Sequence, residues 1–242
     1  MAFQHGKGTG VAVGKYNLTT YLRDVSVSND VEMAETSTFG NTYKTFIQGL
    51  ANTQVSMSGL WDGGTDASDE AFDGLITTDA ATPLTVAPEG LTAGNVCYAI
   101  GAQQSSYEIT SPVTDVVSLS AQFSSRLDSG GKRGFVLASG AITATGASTS
   151  VDTGAAGTNR GAFCLHVTAN THNNTCDFII EESSDNGSGD AWATIATFTQ
   201  VPSTTTTGEF VLVVGVVERY LRLSSTCAGT GSATVVASAS IF

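Results

Sequence analysis

The feature that most constrains the fold of this 242-residue chain is the alternation of apolar and polar residues over short segments. In Val117–Ser124 every odd-numbered residue is apolar and every even-numbered residue is Ser or Gln. Val55–Trp61 and Cys176–Glu181 follow similar patterns. Side chains of a β-strand point alternately to its two faces, so a period of two gives each segment an apolar face. The chain is therefore predicted to be all-β.

More strands are expected in the second half, with turn-forming residues between them. They are predicted around Phe163–Val167, Asp177–Glu181, Ala191–Phe198, Glu209–Val217, Tyr220–Ser224 and Val235–Phe242. Turns are predicted at 62–64, 128–131, 185–187 and 229–231. In Val211–Leu223 the apolar residues are nearly continuous, which favours two strands that meet near Glu218 and are buried on both faces.

One short helix is predicted among the strands, at about residues 67–77. Residues 66–70 (DASDE) supply capping side chains and negative charge for a first turn. Phe72, Leu75 and Ile76 then share one face at the i, i+3, i+4 spacing of a helix. A helix this short needs a sheet to pack against, so it is expected to flank one.

The composition changes near residue 130, where Ser129–Gly134 has the character of a linker. Beyond it, Ala138–Ala156 contains almost no bulky side chains. We therefore predict two domains. Residues 1–130 form a β domain with a flexible N-terminal arm, and residues 131–242 form an accessory β-sandwich of immunoglobulin-like or jelly-roll-like type.

The chain carries few charges, and most of them are acidic. Charged residues make up 13% of the sequence, against about 25% in an average soluble protein. The formal net charge is −12, of which residues 1–130 contribute −9, with 5 Lys+Arg against 14 Asp+Glu. Phosphate binding needs a basic patch, so general nucleic-acid binding is not expected. The acidic surface serves either solubility or the repulsion of passing DNA.

No segment is expected to cross or enter a membrane. The longest apolar run, Phe210–Val217, is far shorter than the about 20 residues that a spanning helix needs. The start of the chain, MAFQHGKGTG, lacks the apolar core of a signal peptide. Synthesis in a host cytoplasm without a membrane anchor is therefore the expectation.

The four cysteines, Cys97, Cys164, Cys176 and Cys227, contain no C-x-x-C pair. They are interpreted as buried free thiols that act as small hydrophobic residues. A Cys164–Cys176 hairpin bridge is the alternative. None of them is assigned to a metal.

Nothing in the sequence marks catalytic or cofactor chemistry. His5, His166 and His172 lack metal-ligand spacing and are interpreted as hydrogen-bonded or solvated. Gly6–Gly10 lacks the Walker order, and no G-x-S-x-G elbow occurs. Glu181–Asp190 is either a hairpin turn with a solvated acidic edge, which we favour, or a calcium site. The protein is expected to be non-enzymatic, with no cofactor.

Five short segments of the first half carry the most specific sequence pattern of the chain through their order and spacing. They are Glu35–Gly40, Tyr43–Leu50, Gly59–Asp62, Ala71–Asp73 and Ser111–Val117. Their sequences are ETSTFG, YKTFIQGL, GLWD, AFD and SPVTDVV. In this order and spacing they resemble the tail tube (major tail protein) family of long-tailed bacteriophages. The resemblance covers about residues 10–128, roughly half of the chain.

The resemblance implies a β-sandwich or open barrel with one short flanking helix, followed here by the second β-sandwich. It also implies a virion protein whose hexameric rings stack into a tube, with genomic DNA passing through without specific binding. Its partners would be other copies of itself and other virion proteins. The excursion from about Asn29 to Ile47 would be an arm that reaches a neighbouring subunit. The candidate interface residues on it are Glu35, Thr38, Phe39, Tyr43, Lys44 and Phe46.

Two other functions fit the same sequence. A capsid decoration or cement protein, expected to be trimeric, would also have low charge, a Gly-rich start and an appended sandwich. A host-surface adhesin would use the second domain alone, although aromatic residues, at 8%, are sparse for binding sugars.

Overall fold

The computed structural model describes residues 6–127 and 129–242. His5, the first residues of the predicted N-terminal arm, and Asp128 of the predicted turn at 128–131 lie outside this range. Within it the strands are all antiparallel and the all-β expectation is confirmed. In chain order they are β1 (Gly10–Val13), β2 (Tyr16–Asn17), β3 (Leu22–Glu35), β4 (Phe46–Leu60), β5 (Thr82–Ala87), β6 (Val96–Thr110), β7 (Ser118–Ser125), β8 (Arg133–Ile142), β9 (Gly146–Ala147), β10 (Val151–Asp152), β11 (Arg160–Asn170), β12 (Cys176–Ser183), β13 (Ala193–Thr197), β14 (Thr207–Val214), β15 (Tyr220–Cys227) and β16 (Ala233–Ile241).

The helix α1 spans Ser68–Asp73 and is shorter than the predicted 67–77. After Asp73 the Leu75 N–H donates to the Phe72 carbonyl, an i−3 bond that ends the α-helical pattern. The expected capping side chain was wrong, since the N-cap is Ala67 and makes no side-chain capping bond. Ser68 instead ties the first turn to the sheet, because its hydroxyl donates to the Leu60 carbonyl at the end of β4. Phe72 is fully buried, and its ring lies 6.1 Å from the ring of Phe123 on β7. The helix thus flanks the sheet as expected.

The larger of the two sheets has eleven strands, and β6 is its central member. One edge of β6 pairs with β5, which pairs with β1 and through it with β2. The other edge pairs first with β8 and then with β7, which leads to β4 and β3. The first-half strands curl around an apolar core with α1. The largest fully buried members of this core are Leu18, Met57, Phe72, Leu84, Ile100 and Phe123.

The smaller sheet has five strands, in the order β10-β15-β12-β13, with β9 also paired to β15. It packs face to face on the part of the large sheet made by β8, β16, β11 and β14, which gives a β-sandwich in the second half of the chain. Its core is separate from that of the first half. The largest fully buried members are Leu137, Phe163, Leu165, Phe178, Ile180 and Leu221.

A third buried layer lies where β5 and β6 pack against β11 and β16. Alternate residues of these strands face the two apolar cores, so the remaining residues face each other across this layer. We call it the middle layer; most of its side chains are small or polar, and the Phe210 ring of β14 covers Gly101 at its border. Its members are Thr85, Ala87, Cys97, Ala99, Gly101, Val136, Ala162, Cys164, His166, Val236, Ser238 and Ser240.

His166 is the one titratable base of the middle layer, and both of its ring nitrogens are bonded. Nδ1 lies 2.7 Å from the Gly14 carbonyl, which can only accept, so Nδ1 carries the proton. Nε2 then accepts from the Thr85 hydroxyl at 2.8 Å, and Ser238 donates to Thr85 at 2.7 Å. The expectation of a hydrogen-bonded histidine is confirmed here. Burial lowers the pKa of His166 to about 4, against the opposing effect of the Gly14 hydrogen bond.

One expectation about local structure was wrong. The segment 129–134 is not an open linker: Ser129 is fully buried and bonds both the N–H and the carbonyl of Gly101. Residues 6–8 of the predicted arm form a 3-10 turn that precedes β1, and the flexibility of the arm stays a prediction. Because Arg133 starts β8, which pairs with β6, the sheet is continuous past residue 130. The two-domain division at that point stays a prediction.

The expectation that Val211–Leu223 is buried on both faces was also wrong. β14 is an edge strand that pairs only with β11 within the described residues, and its side chains are half-buried. Val214 and Val216 are exposed. The strands buried on both faces are instead the middle-layer strands, whose small residues hide the apolar signal.

The middle layer predicts a pH dependence of stability. The pKa of His166 is lower in the folded protein than its unfolded value of about 6.5, so the unfolded chain binds more protons between pH 6.5 and 4. We expect the free energy of unfolding to be highest above pH 6.5 and to fall by about 3 kcal/mol by pH 4 from this group alone. Urea titrations of the wild type and His166→Asn measure it. Equal pH slopes in the two proteins would contradict the assignment.

The close approach of β14 to the turn between β1 and β2 at Gly208 predicts a steric penalty for a larger residue there. A Cβ at Gly208 on β14 would lie 2.3 Å from the Gly14 carbonyl carbon, and backbone on both sides leaves little room to shift. We expect Gly208→Ala to lower the free energy of unfolding by about 1–3 kcal/mol. Gly146→Ala is the control, since a Cβ there meets nothing within 4 Å, and its effect should stay within about 0.5 kcal/mol.

Candidate assembly surface

A long β-hairpin projects from the large sheet. β4 pairs with β7 only as far as Gln54, whereas its pairing with β3 continues to Phe46. Residues 30–52, which we call the hairpin arm, therefore form a ribbon of two strands that no other described strand joins. The pairing of β3 with β4 is interrupted by a β-bulge between Val31 and Met33. This bulge bends the ribbon. The arm coincides with the excursion that the sequence predicted from Asn29 to Ile47.

The tip of the hairpin arm is ordered by its own polar side chains. The Asn41 carboxamide oxygen accepts from the Thr38 N–H at 2.9 Å, and the Asn41 N–H donates to the Thr38 carbonyl. The Thr36 N–H donates to the Thr45 carbonyl at 2.8 Å, which continues the ladder toward the tip. These bonds fix the turn without any apolar packing beneath it.

The base of the hairpin arm is clamped to the start of the second half. The Thr53 hydroxyl donates to the Asn29 carboxamide oxygen at 2.6 Å and accepts from the Gly131 N–H at 2.6 Å. The Asn29 amide donates to the Gly131 carbonyl at 3.0 Å. Thr53 is buried, so these bonds are shielded from water. The direction in which the arm leaves the sheet is therefore fixed at its base.

The hairpin arm exposes large apolar side chains on a segment that buries almost nothing. Met33 is 58% exposed and Phe46 47%, and register pairing places them on the same face of the ribbon. The exposed apolar residues of the arm are Val31, Met33, Phe39, Tyr43, Phe46, Ile47 and Leu50. A two-stranded ribbon alone is marginally stable in water, and clustered exposed apolar residues mark interaction surfaces.

The structure places all six candidate interface residues on this arm. Phe39 and Tyr43 are in the tip and almost fully exposed, and Thr38 belongs to the tip turn. Glu35 and Lys44 form an exposed ion pair at 3.1 Å. Phe46 lies opposite Glu35 in the register. Their role in subunit contact stays a prediction, and the sequence reasoning missed Met33 and Leu50, which are as exposed as Phe46 or more.

The outer edge of β3 extends the same surface. In the part of the chain that the structure describes, β3 pairs with β4 alone, so one edge of its 14 residues leaves backbone N–H and carbonyl groups unpaired by a strand. Such an edge is a template for pairing with another chain. β14 provides a second unpaired edge elsewhere on the sheet.

The face of β3, β4 and β7 that points away from the core is mostly polar. Register pairing puts small or polar residues opposite each other along most of the three strands, and the exception is Leu60, which lies opposite Ser118. The one basic residue of these strands is Arg23, which is exposed at the β-bulge beside Asp24. β6 continues the face with Ser106, Glu108 and Thr110. We call this the polar face; on the three strands it consists of Asp24, Ser26, Ser28, Gln54, Ser56, Ser58, Ser118, Ser120, Gln122 and Ser124.

The acidic segment Glu181–Asp190 forms the hairpin turn that was favoured over a calcium site. Asp185 accepts from the backbone N–H groups of Ser188, Gly189 and Asp190. Asp190 accepts in turn from the Ser184 N–H at 2.8 Å. The carboxylates thus close the turn themselves, as Asx-type turns do.

The cysteine expectation was half right. Cys97 and Cys164 are buried free thiols in the middle layer, and burial raises the pKa of Cys164 to about 12, which keeps it a thiol. Cys176 and Cys227, however, form a disulfide, because the register of β12 and β15 places them directly opposite each other. They are 51 residues apart, and the alternative of a Cys164–Cys176 bridge was wrong.

The described residues contain no helix long and apolar enough to cross a membrane. Comparison with protein-family models and with curated proteins gives no match.

Among solved structures, the chain is similar to the tail of an empty gene transfer agent particle with C6 symmetry, at 15% identity and a TM-score of 0.42, over 55% of this chain and 98% of that one. It is similar to a chain of the native gene transfer agent virion at 16% identity and a TM-score of 0.41, over 52% and 95%. It is also similar to the Dit protein of phage SPP1 at 17% identity and a TM-score of 0.39, over 97% and 99%. Because these values are low, the function below is argued from the chain's own residues.

The exposure of the hairpin arm predicts uneven hydrogen exchange in the free subunit. We expect the amides of residues 31–35 and 46–48 to exchange at least about 100-fold faster than those of β7, because the arm opens without exposing a core. Exchange measured by mass spectrometry on dilute monomer tests this. Equal protection of the arm and β7 in the monomer would show that the ribbon is stable without a partner.

Proposed function

We propose that the protein is a structural, non-catalytic subunit of a bacteriophage virion, and specifically a tail tube subunit that forms stacked hexameric rings around a DNA channel. The observation that carries the proposal is the hairpin arm, which exposes apolar residues on both strands and has no packing partner among residues 6–127 and 129–242. The fitting occupant of that surface is a second copy of this chain.

Ring closure supplies what the isolated subunit lacks. In a cyclic assembly every copy offers the same surfaces, so one contact repeated around an axis covers each arm and each unpaired edge of β3. The sheet edges at β3 and β14 are different surfaces, which suits a head-to-tail ring rather than a two-fold dimer. The number six comes from the resemblance of the first half to the tail tube family.

The polar face supports a channel-lining role for the same strands. If β3, β4 and β7 continue from subunit to subunit, their polar face forms one wall of the ring. That wall carries Ser, Thr, Gln and the acidic residues Asp24 and Glu108, and the only basic residue of β3, β4 and β7 is Arg23 beside Asp24, which is too little positive charge for a phosphate-binding patch. The net charge of −9 over residues 1–130 adds a repulsive field. DNA would pass without adhering.

The first experiment is assembly of the purified full-length chain, followed by negative-stain electron microscopy and native mass spectrometry. We expect six-membered rings or hollow tubes. Trimers that bind only to assembled capsids would overturn the tube role in favour of capsid decoration. Stable monomers that bind host-surface glycans would favour the adhesin instead.

The hairpin arm predicts a specific loss of assembly. We expect Met33→Ser combined with Phe46→Ser to raise the protein concentration needed for assembly at least about 10-fold, equivalent to about 1.4 kcal/mol, because both side chains lose their apolar contact with a neighbour. The thermal midpoint of the monomer should not change, since both residues are exposed in it. Light scattering against concentration measures the first quantity and circular dichroism the second.

Ile76→Ser is the matched control, because Ile76 lies outside the hairpin arm and is as exposed as Phe46, at 47%. Its assembly concentration should match that of the wild type. Unchanged assembly of the double variant would remove the arm from the interface.

A further inference from the structure

His172 lies beside the Cys176–Cys227 disulfide at one end of the second-half sandwich. One ring nitrogen of His172 and the two sulfur atoms all lie within 4.8 Å of one another. His172 is in the loop between β11 and β12, Cys176 opens β12 and Cys227 closes β15. His172 and Cys176 are fully buried, and Cys227 is partly exposed.

The hydrogen bonding of His172 leaves one nitrogen with an unused lone pair. Nε2 lies 3.1 Å from the Ile142 carbonyl, which can only accept, so Nε2 carries the proton. In the neutral ring Nδ1 is then an acceptor, and it is buried without a hydrogen-bond partner. A buried unpaired acceptor is unfavourable and uncommon in proteins, so this nitrogen calls for an explanation.

The loop around His172 is held rigidly from several sides. The His172 N–H donates to the Asn170 side-chain oxygen at 2.9 Å. Its carbonyl accepts from the Thr204 N–H and from the Ser203 hydroxyl, each at 3.1 Å. Gly231 packs so closely on this loop that a Cβ there would lie 2.5 Å from the His172 Cα atom. The imidazole is therefore positioned before any ligand arrives.

Both cysteines are fixed in the same way. Cys176 exchanges two backbone hydrogen bonds with Val201, at 2.9 and 2.8 Å. The Cys227 N–H donates to the Thr145 hydroxyl at 3.0 Å. Breaking the disulfide would therefore leave the two sulfur atoms near each other and near the His172 ring, whose nitrogen with a free lone pair is Nδ1.

We propose that the reduced form of His172, Cys176 and Cys227 is a binding site for a divalent ion of the zinc class. A dithiol reductant would open the disulfide, becoming a cyclic disulfide itself and leaving two thiols. The metal ion would then bind both sulfurs as thiolates, with release of two protons, and the Nδ1 lone pair of His172. In an oxidising medium the same two cysteines close the disulfide and the site is lost.

The ligand set and its geometry fit this class of ion. Zinc takes Cys sulfur at about 2.3 Å and His nitrogen at about 2.0–2.1 Å in a tetrahedron, which separates two ligand atoms by up to about 4 Å. The fourth position would be filled by water, which can enter beside the partly exposed Cys227. A metal-ligating histidine usually donates its other N–H to a carbonyl or carboxylate, which is what Nε2 of His172 does with Ile142.

The test uses the full-length chain reduced by a phosphine, which is oxidised to phosphine oxide with water as the oxygen source. After anaerobic removal of the phosphine the protein is titrated with Co²⁺, whose thiolate complexes absorb in the near ultraviolet, and then with Zn²⁺ as competitor. We expect one Co²⁺ per chain in reduced protein, displaced by Zn²⁺, and none in oxidised protein. No binding to the reduced wild type, or equal binding to the oxidised form, overturns the proposal.

Variants identify the ligands. His172→Gln keeps an amide N–H for Ile142 and lacks the Nδ1 lone pair, and Cys227→Ser removes one thiolate. Each substitution should weaken Co²⁺ binding more than about 10-fold, because loss of a group that only hydrogen-bonds to a metal ligand already costs about that much. The Cys97→Ala, Cys164→Ala double variant is the control and should bind as the wild type does. Binding unaffected by His172→Gln and Cys227→Ser would place the metal elsewhere and overturn the site.

A measurement on the wild type alone covers the case in which a variant fails to fold. In reduced protein, Zn²⁺ should slow the alkylation of Cys227 at least about 10-fold, because the bound thiolate is less available to the reagent. Alkylation at an unchanged rate in the presence of Zn²⁺ would overturn the proposal independently of any substitution.

Discussion

The middle layer is the contact on which the rest of the structure depends. Strands from both halves of the chain meet there, and beside the layer Gly208 of β14 lies so close to Gly14 that there is no room for a methyl group. A layer so thin excludes water, so the polar groups inside it must bond to each other. The chain of Ser238, Thr85, His166 and the Gly14 carbonyl does so completely. The two apolar cores are stacked on either side of this layer.

The sequence predicted those strands that have one solvent-exposed face and one buried face. β7 and the C-terminal part of β4 alternate between core and solvent, so their apolar–polar periodicity is visible in the sequence. β5 is buried throughout and β6 over most of its first nine residues, so neither has a polar side to alternate with. β8 lies partly in the segment of small residues, where hydropathy carries little contrast. β14 was predicted to be buried on both faces because its residues are apolar. Its exposure results from its position at the edge of the sheet, which depends on strand order and cannot be read from composition.

The candidate sites also differ in how well the sequence predicted them. The position of the hairpin arm was predictable because its residues are close together in sequence and the family resemblance lies in the same segment. The cluster of His172, Cys176 and Cys227 was missed because Cys227 comes from a distant strand and only the register of β12 with β15 brings it close. The spacing H-x-x-x-C at 172–176 was the one local signal, and by itself it is too common to indicate a site.

The clamp of Asn29, Thr53 and Gly131 has a mechanical consequence. It joins the root of the hairpin to the segment that leads into β8 through three hydrogen bonds. Tilting the ribbon at its root therefore requires either that these bonds break or that the start of β8 shifts with it.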